Sequence, residues 1–352
     1  MRASVVIRSR NEADRLRLTL ASLASQTEAA EVVVVNDGST DHTAEVIEDA
    51  RAELDIVSVH HARPAGRSAA ANTGGTHATG DILIFLDGDT LAGPDLVADH
   101  LAIHRQRPGV VVRGENFHLR CTRPFLDPER GTPRPGEEER VARMSEAERA
   151  RAIVTRAQVT QRFDEIDRRA QAGVYPGFGP RKLYELEMEA LRAEGDCGVL
   201  WAAAAGANQS VPRDAFARAG GFHPDISINE HRELALRLCQ AGLKMVAGAA
   251  RSYHLIHRSG WRDPLEDKDW EDIFYQAHPR ADVALLPLLW QSLSDTAIIP
   301  EDFRILSLPH LAEIAGSYEG LPSREAVREA YMAAREATLS ESDIRSNIPW
   351  GT

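Results

Sequence analysis

Residues 82–90 read ILIFLDGDT, a short apolar run that ends in Asp87, Gly88 and Asp89. A run of this length and composition predicts a buried β-strand. Side chains two positions apart in a strand point to the same side, so Asp87 and Asp89 would both offer oxygens to one hard divalent cation, Mg²⁺ or Mn²⁺. The alternative is an acidic Asp-Gly turn that binds no ion, and the motif alone does not separate the two.

Other apolar runs precede this strand and alternate with helical patterns. They are SVVIRS (4–9), EVVVVN (31–36) and LDIVSVHH (54–61). Strands that are nearly all apolar and alternate with helices predict an α/β fold, a Rossmann-like and mostly parallel central sheet with helices on both faces. Ligands bind such sheets at the carboxyl ends of the strands, so we expect Asp37 and the 87–89 motif to face one crevice.

The middle of the chain has a different composition. Residues 121–140 are rich in proline, glycine and charge, which predicts an irregular segment. Ser145 and Glu148 match a capping box, from which we expect one long helix, and a Glu-rich helix is predicted over 181–194. The predicted organisation is a first half of the domain, a helical insertion, a second half and a helical C-terminal region, over 1–120, 121–198, 199–260 and 261–352.

Composition excludes several classes of partner. The 352 residues carry a formal net charge of −12, which repels nucleic-acid phosphates and anionic lipid. The three cysteines are far apart and form no metal-binding spacing, as is typical of a reducing compartment. No run approaches the ~20 apolar residues of a membrane span, and the N-terminal sequence becomes charged too early for a signal peptide. We therefore expect a cytoplasmic protein without an integral membrane segment.

Six segments, in this order, resemble the family 2 glycosyltransferases of GT-A fold. They are SVVIRSRNE, VVVVNDGSTD, GRSAAANTGGTHATGDILIFLDGDT, GANQSVPRDAFARAGGF, NEHRELALRL and YHLIH. Members of this family transfer a sugar from a nucleotide-sugar donor to an acceptor. The resemblance covers residues 1–120 and 199–258, and it implies that the predicted sheet is the GT-A sheet.

The resemblance implies that the donor binds along the ends of the first strands. Asp37 would accept a hydrogen bond from the imide of a pyrimidine base, and Asp87 would fix the ribose or the metal. The other positions assigned to the donor are Ser9, Arg10, Asn11, Glu12, Arg67, Asn72 and Gly88. The first motif departs from the family, since IRSRN stands where Pro-Thr-Tyr-Asn is common, so Arg8 or Arg10 is expected to compensate unless both are exposed strand-end charges.

The resemblance also implies a metal site. Asp89 would bind Mn²⁺ or Mg²⁺, with Asp87 and His254 as further ligands and His257 as the alternative imidazole. The chemistry is consistent with this assignment, because sugar transfer builds negative charge on a diphosphate leaving group and a divalent cation stabilises that charge.

A base must also deprotonate the acceptor hydroxyl, and the resemblance places it at the start of the helix EHRELALRL. Glu230 is the first candidate, and the helix dipole there would keep it ionised but less basic. His231 replaces the second acid of the family and is the second candidate, because an imidazole titrates near pH ~6.5. The alternative for His231 is an ordinary surface residue at a helix start.

We therefore predict a metal-dependent, inverting glycosyltransferase that uses a UDP-sugar and a soluble acceptor such as a small molecule, a glycan or a peptide. The alternatives are a retaining transferase on the same fold and a catalytically degenerate protein that only binds nucleotide sugar. A sugar nucleotidyltransferase is disfavoured, because no glycine-rich loop follows the first strand. The insertion is assigned to acceptor recognition or to contact in a homodimer, and residues 258–264 to a lid over the donor.

Overall fold

The computed structural model of the chain describes residues 1–173, 182–193, 197–257, 270–293 and 304–317. The predicted lid, 258–264, and most of the predicted C-terminal region lie outside these residues. The strands of the described residues are β1 Ala3–Ser9, β2 Glu31–Asn36, β3 Ile56–His60, β4 Ile82–Asp87, β5 Thr90–Ala92, β6 Val110–Leu119, β7 Phe125–Asp127, β8 Thr132–Pro133, β9 Gln171–Ala172, β10 Gln209–Pro212 and β11 Lys244–Leu255.

The helices of the same residues are α1 Ala13–Ala24, α2 Thr43–Ala50, α3 Arg67–His77, α4 Leu96–Gln106, α5 Glu138–Ala142, α6 Glu146–Ala152, α7 Arg156–Gln161, α8 Asp164–Asp167, α9 Leu183–Arg192, α10 Arg213–Arg218, α11 Glu230–Gln240, α12 Trp270–Ala277, α13 Ala281–Ala284, α14 Leu286–Ser292 and α15 Leu308–Ser317. Short 3₁₀ helices cover Arg120–Thr122 and Leu200–Ala203. Among the described helices, none combines the length and the apolar character that a bilayer span requires.

The central sheet is of mixed direction. Within the described residues its strand order is β3-β2-β1-β4-β10-β6-β11-β5, and β9 pairs with β6. The first four strands are parallel, as predicted, and β6 and β11 are also parallel. However, β10 runs antiparallel to both β4 and β6, and β5 runs antiparallel to β11. The sheet is thus mostly parallel, as predicted. The antiparallel pairings involve the short strands β5, β9 and β10, whose direction no sequence pattern reveals.

The apolar side chains of the strands divide between two faces of the sheet. Val5 and Ile7 of β1 join the apolar cluster under α1, α2 and α4, whereas Val6 joins the cluster under α3 and α9 to α11. Alternate residues of a strand point to opposite faces, so a continuous apolar run buries both. This arrangement confirms the predicted helices on both faces and leaves the carboxyl ends of β1, β2 and β4 uncovered by either layer.

The long helix expected from Ser145 is instead three short helices, α6, α7 and α8. The predicted capping box of Ser145 and Glu148 is present. A second capping box, formed by Thr155 and Gln158, begins α7. A capping residue has non-helical backbone angles, so this second cap interrupts the helix at residues 153–155.

The end of the predicted insertion is built into the main fold. Strand β9 pairs with β6 of the central sheet, and α9 buries Leu186, Met188 and Leu191 in the same cluster as β4 and α11. The predicted boundaries at residues 121 and 198 stay a prediction. The packing shows that α9 cannot be treated as a removable appendage.

Helix α4 presents two buried histidines to β10. His100 Nε2 lies 2.8 Å from Asn208 Oδ1, and its Nδ1 lies 2.8 Å from Ser210 Oγ. The same hydroxyl lies 2.8 Å from His104 Nε2. Burial lowers the pKa of both imidazoles to about 4, because the charged form would lose its hydration. This polar network fixes the turn that leads into β10.

The two histidines predict a pH-dependent stability. In the unfolded chain they titrate near pH ~6.5, so below that pH the unfolded state binds more protons than the folded state. The free energy of unfolding should therefore fall as the pH drops from about 6.5 towards 4, by on the order of 1 kcal/mol per pH unit for each histidine. Urea denaturation of the wild type and of His104→Gln over this range measures the effect.

In His104→Gln the amide replaces the ring nitrogen next to Ser210 without titrating, so the slope of stability against pH should be shallower than in the wild type. His77→Gln is the matched control, since His77 is exposed on α3. Equal slopes in all three proteins would contradict the assignment.

Candidate functional site

A cleft of about 1000 Å³ lies at the carboxyl ends of β1, β2 and β4. The predicted site residues that line it are Ser9, Arg10, Asn11, Glu12, Asp37, Arg67, Asp87, Asp89, Glu230, His231, His254 and His257. The two that do not line it are Asn72 and Gly88. The structure thus brings together residues from both predicted halves of the domain.

Asp89, His254 and His257 form a compact group of potential metal ligands. Asp89 Oδ2 lies 3.1 Å from His254 Nε2 and 2.7 Å from His257 Nε2. The three ligand atoms all lie within 4.8 Å of one another. Burial alone would raise the pKa of Asp89, but the two imidazoles outweigh it and hold that pKa well below its usual range. One carboxylate and two imidazoles that converge in this way can hold a divalent transition metal.

The backbone fixes the positions of these three side chains. Strand β5 pairs with β11 so that Thr90 lies opposite His254, and the Leu255 amide donates to the Asp89 carbonyl at 2.9 Å. Thr90 Oγ1 donates to Asp89 Oδ1 at 3.0 Å, which orients the carboxylate.

The residues between the two histidines are also anchored. The Leu255 carbonyl accepts from Arg15 Nε at 3.3 Å, and the Ile256 carbonyl accepts from Thr122 Oγ1 at 2.9 Å. Arg15 also donates to the carbonyls of Phe125 and Leu126. Helix α1 and the segment after β6 therefore hold the backbone that carries both imidazoles.

His118 is a neighbour of this group that the sequence analysis missed. It lies opposite His254 in the β6–β11 pairing, and the two rings meet edge to face with centroids 5.6 Å apart. Burial, followed by the proximity of His254, lowers the pKa of His118 to about 3. A long-range strand pairing brings the two together, so no local signal could have identified His118.

Asp87 lies outside the ligand group and pairs with an arginine. Its Oδ1 accepts from Arg8 Nε at 2.8 Å, and Arg8 Nη1 donates to Glu230 Oε1 at 2.6 Å. Arg8 is thus the cation between the two carboxylates, and it is not an exposed strand-end charge. Burial opposes ionisation of Glu230, but the charge of Arg8 outweighs it and the pKa of Glu230 lies well below its ordinary value.

Glu12 and Gly88 meet at the rim of the ligand group. Burial and then the negative charge of Asp89 raise the pKa of Glu12 well above its ordinary value. A Cβ at Gly88 would overlap Glu12 Oε1 and would lie 2.8 Å from Ser9 Cβ, which is attached directly to the β1 backbone and cannot turn away. Glycine is therefore required here for close packing between the β4 terminus and the β1 terminus.

The remaining predicted donor residues organise the loops of the cleft. Asp37 accepts from His61 Nδ1 at 2.7 Å and from the amides of Ala65 and Gly66 at 2.8 and 3.0 Å. This carboxylate therefore shapes the loop that precedes α3 and Arg67. The backbone amide of Asn11 donates to Ser39 Oγ, and the side-chain Oδ1 of Asn11 accepts from the Thr40 amide. These two bonds join the loop after β1 to the loop after β2.

Asn72 is placed away from the cleft. Its amide nitrogen donates to the Phe222 carbonyl at 2.9 Å, and its Oδ1 accepts from the Phe222 amide at 2.7 Å. The paired bonds fix the Gly220–Gly221 turn against α3. Its predicted contact with the donor stays a prediction, and the structure gives it a supporting role in the fold.

The wall opposite the strand ends comes from residues that the sequence analysis did not single out for the site. Leu126, Arg134 and Leu183 reach the cleft from the predicted insertion, and Trp290 reaches it from α14. These residues lie far from the family motifs in sequence. The packing of α9 and α14 on the main core places Leu183 and Trp290 at the cleft, whereas Leu126 reaches it from β7 and Arg134 from the end of β8.

A sequence model of glycosyl transferase family 2 matches residues 4–178. The chain belongs to this family. Its match ends before α9, so the family 2 model covers Arg8, Asp37, Asp87 and Asp89 but not His254 or His257.

Curated relatives of this family 2 chain match a short part of it. The uncharacterized glycosyltransferase YfnE of Bacillus subtilis is 38% identical over 116 residues, which are 32% of this chain and 30% of that protein. Validoxylamine A glucosyltransferase of Streptomyces hygroscopicus subsp. jinggangensis is 43% identical over 116 residues, 32% of this chain and 28% of that protein. The chain therefore spans less than a third of the length of either relative.

A solved structure extends the likeness to nearly the whole chain. S. aureus TarS 1–349 in complex with UDP-GlcNAc matches with a TM-score of 0.50 at 13% identity, over 96% of this chain and 82% of that chain. At this identity the likeness shows the fold alone. It confirms the GT-A fold that the sequence motifs predicted.

Gly88→Ala should destabilise the protein by about 1–3 kcal/mol, because the new methyl group overlaps Glu12 and Ser9 in a packed region. Gly198→Ala is the control, since a Cβ at Gly198 meets nothing within 4 Å. Thermal and urea denaturation compare the two. Equal losses of stability would contradict the close packing at Gly88.

Removing Arg8 should leave two carboxylates without their cation. Arg8→Met is expected to lower the free energy of unfolding by about 3 kcal/mol at neutral pH, because Glu230 is buried. The loss should shrink as the pH falls, since an unpaired Glu230 becomes protonated and no longer buries a charge. Urea denaturation across pH measures it.

The double variant Arg8→Met/Glu230→Gln should regain part of the lost stability, which a simple packing defect at Arg8 would not explain. Arg218→Met removes an ion pair with Asp214 at the protein surface and should change stability by less than ~1 kcal/mol.

Proposed function

We propose that the protein is a metal-dependent, inverting glycosyltransferase that moves a sugar from a UDP-sugar to a hydroxyl of a soluble acceptor. The observation that carries the proposal is the group of Asp89, His254 and His257 at the strand ends, in one cleft with Asp37 and Glu230. Membership of family 2 and the GT-A fold support it. The UDP-GlcNAc bound by TarS and the glucosyltransferase name of one relative support the choice of donor.

The proposed metal is Mn²⁺ in preference to Mg²⁺. Two imidazoles and one carboxylate suit a transition metal, whereas Mg²⁺ favours an all-oxygen octahedron and dehydrates reluctantly. When bound, the ion would stabilise the negative charge that develops on the diphosphate as its bond to the sugar breaks. Asp89, His254 and His257 are the residues that would hold it, and Asp87 would face the ribose.

Glu230 is the proposed acceptor of the proton from the attacking hydroxyl. Its Oε1 takes a hydrogen bond from Arg8, so Oε2 is the oxygen left for the substrate. His231 is less suited, because its Nε2 already interacts with Arg232 Nη1 at 2.9 Å. Attack by the hydroxyl on the face of the sugar opposite the diphosphate, in one displacement, would invert the anomeric carbon.

The predicted insertion is proposed to contact the acceptor. Leu126, Arg134 and Leu183 line the cleft, whereas nothing in the described residues supports its alternative role in a homodimer. The apolar side chains of Leu183 and Trp290 would suit the ring face of a sugar or a similar cyclic acceptor.

A binding protein without catalysis is the second candidate, and one observation favours it. The ion pair with Arg8 lowers the pKa of Glu230 so far that its carboxylate is a weak base. Release of uridine diphosphate from UDP-glucose separates the candidates, since a pure binding protein would retain the donor intact.

Titration calorimetry with UDP, in Mn²⁺ and separately in Mg²⁺, tests the proposal. We expect Mn²⁺ to raise UDP affinity at least about tenfold over Mg²⁺, and Asp89→Asn or His257→Ala to remove most of that gain. His77→Ala, outside the cleft, is the control. The metal site would be refuted by an equal affinity for UDP in Mn²⁺ and in Mg²⁺, or by variants that keep the gain in UDP affinity that Mn²⁺ gives.

A further inference from the structure

The guanidinium of Arg232, in α11, is buried and contacts four polar groups. Nε donates to the Ala202 carbonyl at 2.8 Å, and Nη2 donates to Glu187 Oε1 at 2.6 Å. Nη1 lies 2.6 Å from Asn229 Oδ1 and 2.9 Å from His231 Nε2. The last two residues flank Glu230 in sequence and line the cleft with it.

These contacts determine where Asn229 and His231 carry their protons. A guanidinium only donates hydrogen bonds, so the atom of each partner that faces it must accept. Asn229 therefore turns its oxygen to Arg232 and its NH₂ group away from it. His231 accepts through Nε2, so the proton of the neutral ring lies on Nδ1. Burial lowers the pKa of His231, which keeps the ring neutral.

Both of the resulting donors are buried and without a partner among the described residues. Asn229 Nδ2 and His231 Nδ1 make no hydrogen bond there, although Asn229 is only 3% exposed. His231 Nδ1 lies 3.6 Å from Glu230 Oε2, which is too long for a well-formed hydrogen bond, although the attraction of this carboxylate partly opposes the effect of burial on the pKa of the ring. Leaving a buried donor unpaired costs about 1–3 kcal/mol, so two of them beside a cleft indicate a ligand that accepts.

The usual structural role of Asn229 does not account for its side chain. It occupies the N-cap position of α11 with φ of 67°, but its side chain makes no capping hydrogen bond to the helix. The side chain serves Arg232 and the cleft instead. The left-handed backbone conformation at this position also turns the chain so that residues 229, 230 and 231 reach the same cleft.

We propose that Asn229 Nδ2 and His231 Nδ1 donate to the oxygen of a sugar hydroxyl whose own proton faces Glu230. A hydroxyl suits this set, because it accepts two hydrogen bonds and donates one. A phosphate or carboxylate would be repelled by the charge of Glu230. The inference rests on the proposed function, and the hydroxyl belongs either to the transferred sugar or to the acceptor.

Glu187 and Arg113 are positioning residues for this subsite. Glu187 Oε1 accepts from Arg232 and Oε2 accepts from Arg113 Nη2, each at 2.6 Å, and all three side chains are buried. The face of Trp290 lies 5.1 Å from the Arg232 guanidinium. Helix α9 thus sets the orientation of Arg232, and through it the protons of Asn229 and His231.

The tautomer of His231 tests the proton assignment in the full chain. Nitrogen NMR of ¹⁵N-histidine-labelled protein, with the His231 signal identified by its loss in His231→Gln, should show a neutral ring protonated on Nδ1. Arg232→Met should shift the ring towards the Nε2-protonated form that is ordinary in water. A wild-type ring already protonated on Nε2 would overturn the inference, whether or not the protein is an enzyme.

UDP-glucose and UDP, each with Mn²⁺, are the probes for the hydroxyl. Asn229→Asp keeps the oxygen that faces Arg232 but replaces the NH₂ donor by a charged acceptor. If the hydroxyl belongs to the transferred sugar, this variant should weaken UDP-glucose at least about tenfold and leave UDP unchanged. If it belongs to the acceptor, kcat for UDP-glucose hydrolysis, in which water takes its place, should fall at least about tenfold at constant KM.

His231→Gln should act in the same direction, and His77→Gln should change nothing. Active wild type with Asn229→Asp and His231→Gln both unaffected would overturn the inference. A wild type that neither binds nor hydrolyses UDP-glucose would instead refute the proposed function, and the tautomer would then decide the inference alone. Melting temperatures of the variants identify any loss that comes from misfolding.

Discussion

The candidate site depends on a short antiparallel pairing between β5 and the end of β11. Asp89 ends the acidic motif, and the next three residues pair with β11 so that Thr90 lies opposite His254. Without this pairing the carboxylate and the imidazoles would belong to distant parts of the sheet, since 165 residues separate Asp89 from His254. The anchors on the Leu255 and Ile256 carbonyls extend the constraint to His257. A rigid backbone therefore holds the three groups before any ligand arrives, which is the preorganisation that charge stabilisation requires.

Several carboxylates lie in the cleft, and nearby positive charges balance some of them better than others. Asp87 and Glu230 share Arg8, whose positive charge lies between the two carboxylates. At Glu12 burial and the charge of Asp89 outweigh the opposing charge of Arg15 and raise the pKa. The positive charge needed near Asp89 is therefore supplied in part by imidazoles, which carry it only when protonated. A divalent cation would meet that need at neutral pH, and this electrostatic argument is independent of the family resemblance.

The fold was predictable from the sequence where apolar residues form a regular local pattern. The site was predictable where acidic residues follow directly after a strand. The apolar runs identified β1, β2 and β4, and the acidic residues after them marked the cleft. The direction of β10 and the position of Asn72 were not predictable, because each depends on contacts between segments distant in sequence. The break before α7 does have a local signal, the capping box of Thr155 and Gln158, which was overlooked. Arg8 shows the limit most clearly: the sequence flagged it as unusual, but only the tertiary structure shows that it joins Asp87 to Glu230.

Arg8 links the part of the cleft proposed to bind the sugar donor to the part proposed to bind the acceptor. It lies on β1, in the half of the fold that would bind the donor, yet it donates to Glu230 at the start of α11, in the half that would bind the acceptor. A nucleotide-sugar donor that engaged Asp87 would compete with the hydrogen bond from Arg8 to Asp87. The hydrogen bond from Arg8 to Glu230 would then change in length in response. Glu230 is also the carboxylate between Asn229 and His231, so its orientation is coupled to Arg232 and α9 on one side and to Arg8 on the other. A donor bound at Asp87 would therefore act on the same guanidinium that binds Glu230, the group proposed to face the acceptor.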